Sequence, residues 1–213
     1  MKLRGLIVLS LLAPMVAGCV SQRRGQLNLA SARVVADFDS YHLRRVGLMP
    51  INGLDRSMED SPDMPNILAA EFAAATGLEV LVLDRSDLTE VKELKPHERG
   101  EFNLQTIIDV GKRHRLDGLL VATLTEHNVY PPQRIGMQMD FVSTETGISL
   151  WYGSLAVDAC STRTQNAVHY WTQGEFSDHH FDDGVVLISP LRFFRFACAQ
   201  LVAHFTVPAA SRN

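Results

Sequence analysis

The sequence predicts an α/β fold, a two-layer mixed sheet in β-α-β-α-β-β-β-α order with a C-terminal helix. Three patterns lead there. Short apolar runs alternate with segments of helical period between Val46 and Glu126, the arrangement of parallel strands joined by crossover helices. Two further strand-like segments then flank Thr146-Gly147, which reads as a hairpin. Ser189-Pro190 finally opens a segment with an apolar stripe, as a proline in the first helical turn allows.

The elements follow in order. Val46-Gly47-Leu48-Met49-Pro50 is a buried strand ended by Pro50 and Gly53, and Leu54 to Asp63 is a polar loop. Pro65 to Thr76 is a helix: Asp63 lies near its start, Leu68, Phe72 and Ala75 fall on one face, and Gly77 stops it. Leu78 to Leu83 is nearly all apolar and so a central strand. Asp84 to Leu94 is a short helix or turn, and Pro96 to Glu101 a charged loop. Asn103 caps a helix running to Arg115, with Leu104, Ile107, Ile108 and Gly111 on one face. Gly118 to Glu126 is the third strand, and Pro131-Pro132 breaks the chain. Met137, Met139 and Phe141 alternate with Gln138 and Asp140, and Ile148 to Asp158 returns as the partner strand. Thr162 to Gln173 is helical and Gly174 to Gly184 loop-like. In the last helix Phe194, Ala197, Cys198, Leu201 and Phe205 share a stripe, while Arg192 and Arg195 face water.

Composition bounds the function. A chain of 213 residues, 46% hydrophobic with a net charge of -4, is not disordered, and 14 Gly with 9 Pro exclude collagen-like and linker-like sequences. Three Cys do not make a disulfide scaffold, and the acidic balance gives no drive toward nucleic acid. One globular domain is expected.

The first segment is an address. Lys2 and Arg4 precede an apolar run, Leu6 to Val16, and Val16-Ala17-Gly18-Cys19 follows. This spacing resembles a bacterial lipobox. The resemblance implies cleavage before Cys19 and acylation of its thiol. Val20 at the next position, rather than an Asp, implies the outer membrane, with the protein facing the periplasm. The expected organisation is a signal peptide over 1–18, a tether over 19–44 and a single α/β domain over 45–207. Loss of Lys2 and Arg4 with the leader takes the net charge from -4 to -6, so acyl chains rather than a basic patch should hold the membrane.

Four phrases carry a second resemblance: Arg45-Val46-Gly47-Leu48-Met49-Pro50, Leu83-Asp84-Arg85-Ser86-Asp87-Leu88, Arg115-Leu116-Asp117-Gly118-Leu119-Leu120-Val121, and the stretch from Asp140 to Trp151 through Thr146-Gly147. Together they resemble the envelope lipoproteins related to the curli-secretion protein CsgG, the penicillin-binding-protein activator LpoB and the flagellar lipoprotein FlgO, over residues 45–158. The extra membrane-inserting segments of the curli channel have no counterpart between Gly118 and Asp158, so pore formation does not carry over. Tyr130-Pro131-Pro132-Gln133-Arg134-Ile135-Gly136 resembles a linker of a lipoprotein subgroup with this fold. From Ala159 onward no such phrase occurs.

Several groups are weighed for chemistry. His179, His180, Asp182 and Asp183 form, with Asp178, the densest metal-capable cluster, yet no helix-borne His-Glu-x-x-His accompanies them and the composition is that of a solvated loop. With Cys19 acylated, Cys160 and Cys198 remain, and two readings stand: a disulfide, or a free Cys198 acting as a small hydrophobe on its stripe. Asp84 with Arg85, and Tyr130, Pro131, Pro132 and Arg134, are candidate partner-binding residues. No phosphate-binding glycine motif and no nucleophile elbow occurs. The expectation is therefore a non-enzymatic, membrane-anchored module, without cofactor, that binds another envelope protein or its own copies. Its rivals are a metal-dependent periplasmic enzyme using the 178–183 cluster and a ring or channel component like the curli protein.

Overall fold

The structure, a computed structural model, describes residues 28–53, 63–84, 86–88, 104–173 and 182–205. The leader, Cys19, Arg85, Asn103, His179, His180 and the expected loops before Asp63 and at 96–101 lie outside the described residues.

The elements are β1 (Ser31–Val34), β2 (Arg45–Leu48), α1 (Asp63–Thr76), β3 (Glu79–Val82), α2 (Leu104–His114), β4 (Gly118–Asn128), β5 (Arg134–Ser143), β6 (Ser149–Asp158), α3 (Thr162–Thr172), α4 (Asp183–Ile188) and α5 (Pro190–Val202). The strands form one mixed sheet in the order β1-β6-β5-β4-β2-β3. β2 runs parallel to both β3 and β4, whereas β4, β5, β6 and β1 pair antiparallel in turn. The predicted α/β class holds, with its mixed sheet and C-terminal helix, but helices pack on both faces of the sheet, so the expected two layers become three.

Alternation along the strands assigns two cores. Leu48, Leu120, Ala122, Met137, Met139, Phe141, Trp151 and Leu155 face one way and pack with α1 and α5. Phe205 sits among four aromatic neighbours there, its ring centroid 4.9 Å from Phe72, 5.4 Å from Trp151, 5.5 Å from Phe38 and 5.7 Å from Phe141. Each such buried ring contributes roughly 1.5–3 kcal/mol, so this cluster is a main source of cohesion. Leu119, Val121 and Val142 face the other way and pack with Ile107 and Val110 of α2.

Five expectations change. β3, expected at the centre of the sheet, is its edge strand, paired with β2 alone, and its apolar side chains are only partly buried. Residues 31–34 are a strand, not tether: β1 pairs Ser31 with Ser154 and Val34 with Trp151, so the domain begins before residue 45. The chain just before β1 is pinned to the C-terminal helices. Arg163 donates to the Asn28 carbonyl at 3.2 Å, Gln200 accepts the Leu29 N–H at 3.3 Å, and His204 meets the Ala30 carbonyl at 3.0 Å. On α1 the buried face is Met64, Leu68, Phe72 and Thr76, with Ala75 exposed. Asp183 and Gly184, expected in a loop, begin α4, because the Asp182 carboxylate caps it by accepting the Gly184 N–H at 2.7 Å. Arg195 does not simply face water: its Nε meets Glu71 Oε1 at 2.6 Å and ties α5 to α1.

Candidate interaction surface

Three of the four resemblance phrases converge at the amino-terminal end of the parallel strands, where they bind backbone. Asp117 Oδ2 accepts the N–H of Arg44 at 2.8 Å and of Arg45 at 2.9 Å, joining the start of β4 to the start of β2. Thr144, in the β5–β6 turn, donates to the Leu116 carbonyl at 2.6 Å. Gly111 of α2 lies so close to it that a Cβ would stand 2.5 Å from Thr144 Cβ. Arg115 has φ of +54°, the left-handed residue that ends α2. Gly147 has φ of +70°, as the hairpin turn requires. These residues staple the fold; none of them is held out toward a ligand.

The second phrase closes on itself. Asp84 Oδ1 accepts the Ser86 N–H at 2.7 Å, the Asp87 N–H at 2.9 Å and the Ser86 hydroxyl. Asp87 in turn accepts the Asp84 N–H at 2.9 Å. The Ser86 hydroxyl first, and the Asp87 amide next, hold the exposed Asp84 carboxyl below its ordinary value. Asp84 therefore shapes a turn after β3.

The metal-capable residues that are described have structural partners. Asp182 is the cap of α4. Asp183 accepts from the Thr172 hydroxyl and meets His169 Nδ1 at 2.7 Å, linking α3 to α4 across the 174–181 segment. The Thr172 hydroxyl foremost lowers its pKa; burial opposes this, and the hydrogen bond and charge of His169 add smaller lowering effects. No group of three metal-capable side chains occurs among the described residues.

The disulfide reading is corrected, because both cysteines are free. Cys160 is exposed in the turn after β6, whereas Cys198 is fully buried on the inner face of α5. Burial first, and the Glu71 charge second, push the Cys198 thiol well above its ordinary value. It packs as a small hydrophobe.

The candidate residues at the β4–β5 connection are displayed. Tyr130 is 77% exposed, the most exposed large hydrophobic side chain among the described residues. It stands on a braced turn: Asn128 Nδ2 donates to the Pro132 carbonyl at 3.1 Å, Asn128 Oδ1 accepts the Tyr130 N–H at 3.2 Å, and the Pro131-Pro132 bond is cis. Behind the turn Gln133 is buried, and its carbonyl accepts the Ala159 N–H at 2.9 Å. Arg134 Nε meets Asp158 at 3.0 Å, and its Nη1 lies 3.9 Å from Glu126.

Asp84 and Tyr130 do not share a site. Leu48 pairs with Val82 on one side and Leu120 on the other, so β3 ends level with Leu120. β4 continues eight residues to Asn128, roughly 26 Å at the rise of a strand. Sequence reasoning also passed over the polar rows Thr123–Gln138–Ser154–Ser31 and Asp140–Tyr152–Arg33 on the sheet face opposite the main core. The alternation of Gln138 with Asp140 and of Tyr152 with Ser154 was their signal.

The class so defined is a mixed α/β domain whose ionisable side chains brace its backbone and whose aromatic-proline tip projects from one end of the sheet. No protein-family model matches the chain, and no curated protein matches it. Among solved structures it is similar to the PelC dodecamer from Paraburkholderia phytofirmans, at 10% identity over 65% of this chain and 89% of that one, with a TM-score of 0.42. It is similar to lipoprotein GNA1162 from Neisseria meningitidis, at 17% identity over 54% and 79%, with a TM-score of 0.35. The LpoB C-terminal domain from Salmonella enterica is similar at 18% identity over 54% and 83%, with a TM-score of 0.34. Likeness at this level carries no role to any residue here.

Proposed function

We propose that the chain is an envelope lipoprotein, anchored through acylated Cys19, that acts as a non-enzymatic protein-binding or assembly module. The observation that carries this reading is the use of the polar side chains. Asp84, Asp117, Asp182, Asp183 and His169 each hold backbone or one another, while large apolar side chains stand exposed at Tyr130, Ile148, Tyr170, Ile188 and Leu191. A catalytic centre would add a nucleophile or a metal site beside a pair such as Asp183 and His169, facing a cleft, and no group of three metal-capable side chains occurs among the described residues. The Asp84 turn and the apolar residues of α4 and α5 are the proposed protein contacts.

Capture of crosslinked partners from envelopes containing the anchored chain tests the reading. A defined envelope protein, or the chain's own copies, should be enriched over a Cys19→Ser control. Stoichiometric Zn or Mn in the purified protein, with an activity lost in His180→Ala, would overturn it in favour of a metal-dependent enzyme.

A further inference from the structure

The described chain enters the domain at the end of the sheet that carries the Tyr130 tip. β1 runs antiparallel to β6 with Ser31 opposite Ser154, so the residues before Ser31 run toward the Asp158 end of β6. The hydrogen bond from Arg163 to the Asn28 carbonyl fixes this point, since Arg163 lies in the first turn of α3, just past β6. Asn128, Arg134 and Asp158 form the last cross-strand row at this end, and Tyr130 with Pro131 and Pro132 lies beyond it.

Only eight residues, 20–27, lie between Cys19 and Asn28, so nine Cα–Cα steps join them. In any conformation they span at most about 30 Å. An acyl group on Cys19 therefore holds this end of the domain close to the bilayer. The opposite end, at the Ile148 turn, is ten residues of strand further away, roughly 33 Å.

The chemistry of the tip suits that position. Tyrosine has an apolar ring and a polar hydroxyl, the combination favoured at the headgroup level. The two prolines lack backbone N–H groups that would otherwise need partners on entering the interface. The charges nearby are balanced in kind: Glu126 and Asp158 are matched by Arg134 and Arg163, and Arg134 lies between the two acids. This rim is thus spared the acidic excess of the mature chain, which anionic headgroups would repel.

We propose that the lipid surface carrying the anchor is what the Tyr130 tip meets, so that the sheet stands with its Tyr130 end on the bilayer and its Ile148 end facing away from it. The proposal rests on the acylated-lipoprotein reading. Its test uses the full, acylated chain in vesicles of phosphatidylethanolamine and phosphatidylglycerol, with and without brominated acyl chains. Tyr130→Trp and Ile148→Trp are compared against the wild-type emission of Trp151 and Trp171. The added emission at position 130 should fall by about half in brominated lipid, the quenching expected of an interfacial ring, and that at position 148 should not change.

Equal quenching at both positions, or quenching at 148 alone, overturns the orientation. So does an unquenched Trp at 130, including one shielded by a second copy of the chain. A chain without an acyl group on Cys19 overturns the anchor reading as well, and the mass of the amino-terminal peptide separates that failure from an anchored chain whose tip stays clear of lipid.

Discussion

Asp117 and Arg45 grip each other's backbone: Asp117 Oδ2 accepts the Arg45 N–H at 2.9 Å, while the Asp117 N–H donates to the Arg45 carbonyl at 2.8 Å. Because Arg44 donates to the same oxygen, one carboxylate closes the start of the β2–β4 pair. Asp117→Ala should lower stability by about 2 kcal/mol, since hydrogen bonds to a charged acceptor outweigh neutral ones. Asp117→Asn keeps an acceptor oxygen and should lose about half as much. Urea unfolding of both variants measures the difference.

Gly111→Ala reverses an ordinary expectation. In an exposed helix the change would stabilise by up to about 1 kcal/mol. Here the new Cβ would meet Thr144 Cβ at 2.5 Å, in a turn fixed by the Thr144–Leu116 hydrogen bond. A net loss of about 1–3 kcal/mol is expected, and a rise in melting temperature would show that the turn yields freely.

The two cysteines of the domain should differ in reactivity. A thiol reagent applied to the folded protein should modify Cys160 and spare Cys198, which reacts only after unfolding. Mass spectrometry without reductant reads this directly, and a species two mass units lighter with no reactive thiol would restore the disulfide.

Acid should weaken the α3–α4 link. The folded Asp183 carboxyl is held below its ordinary value, so its contribution is present above about pH 4 and is lost as pH falls through the lowered folded value. Wild type should exceed Asp183→Asn in stability at pH 7, by less than about 1 kcal/mol at this half-exposed site, and the two should converge in acid. A constant difference down to pH 2 would mean that the carboxylate charge contributes nothing.

The anchor has its own test. Cys19→Ser should leave the leader uncleaved and remove the acyl mass. Processing identical to wild type would show that Cys19 is not the modified residue.

Apart from α4, whose six residues are too few to show a period, sequence alone determined the type and order of the elements from Arg45 to Thr172 and the last helix α5, because each is written in the period of a single window: apolar runs for β2, β3 and β4, alternation for β5, and a stripe for α5. It also placed the hairpin at Thr146-Gly147 and the proline-rich turn at Tyr130. It left β1 unassigned, since Ala30 to Phe38 allows a short element but shows no clear period, and Ser31–Val34 gains its structure by pairing with residues about 120 positions on, among them Ser154 with Ser31. It left Cys198 between a disulfide and a core position, which only the packing of α5 against the sheet resolves.

Tertiary structure alone decided what the recognised phrases are for. Asp117, Thr144 and Gly111 come from separate segments and form one staple because the sheet brings the starts of β2 and β4 beside the β5–β6 turn. It also decided that the chain enters at the Tyr130 end, through the pinning of Asn28 by Arg163. Local periodicity records how a segment buries its own side chains; which distant segment it meets depends on loop closure and register, and those are settled only when the whole sheet assembles.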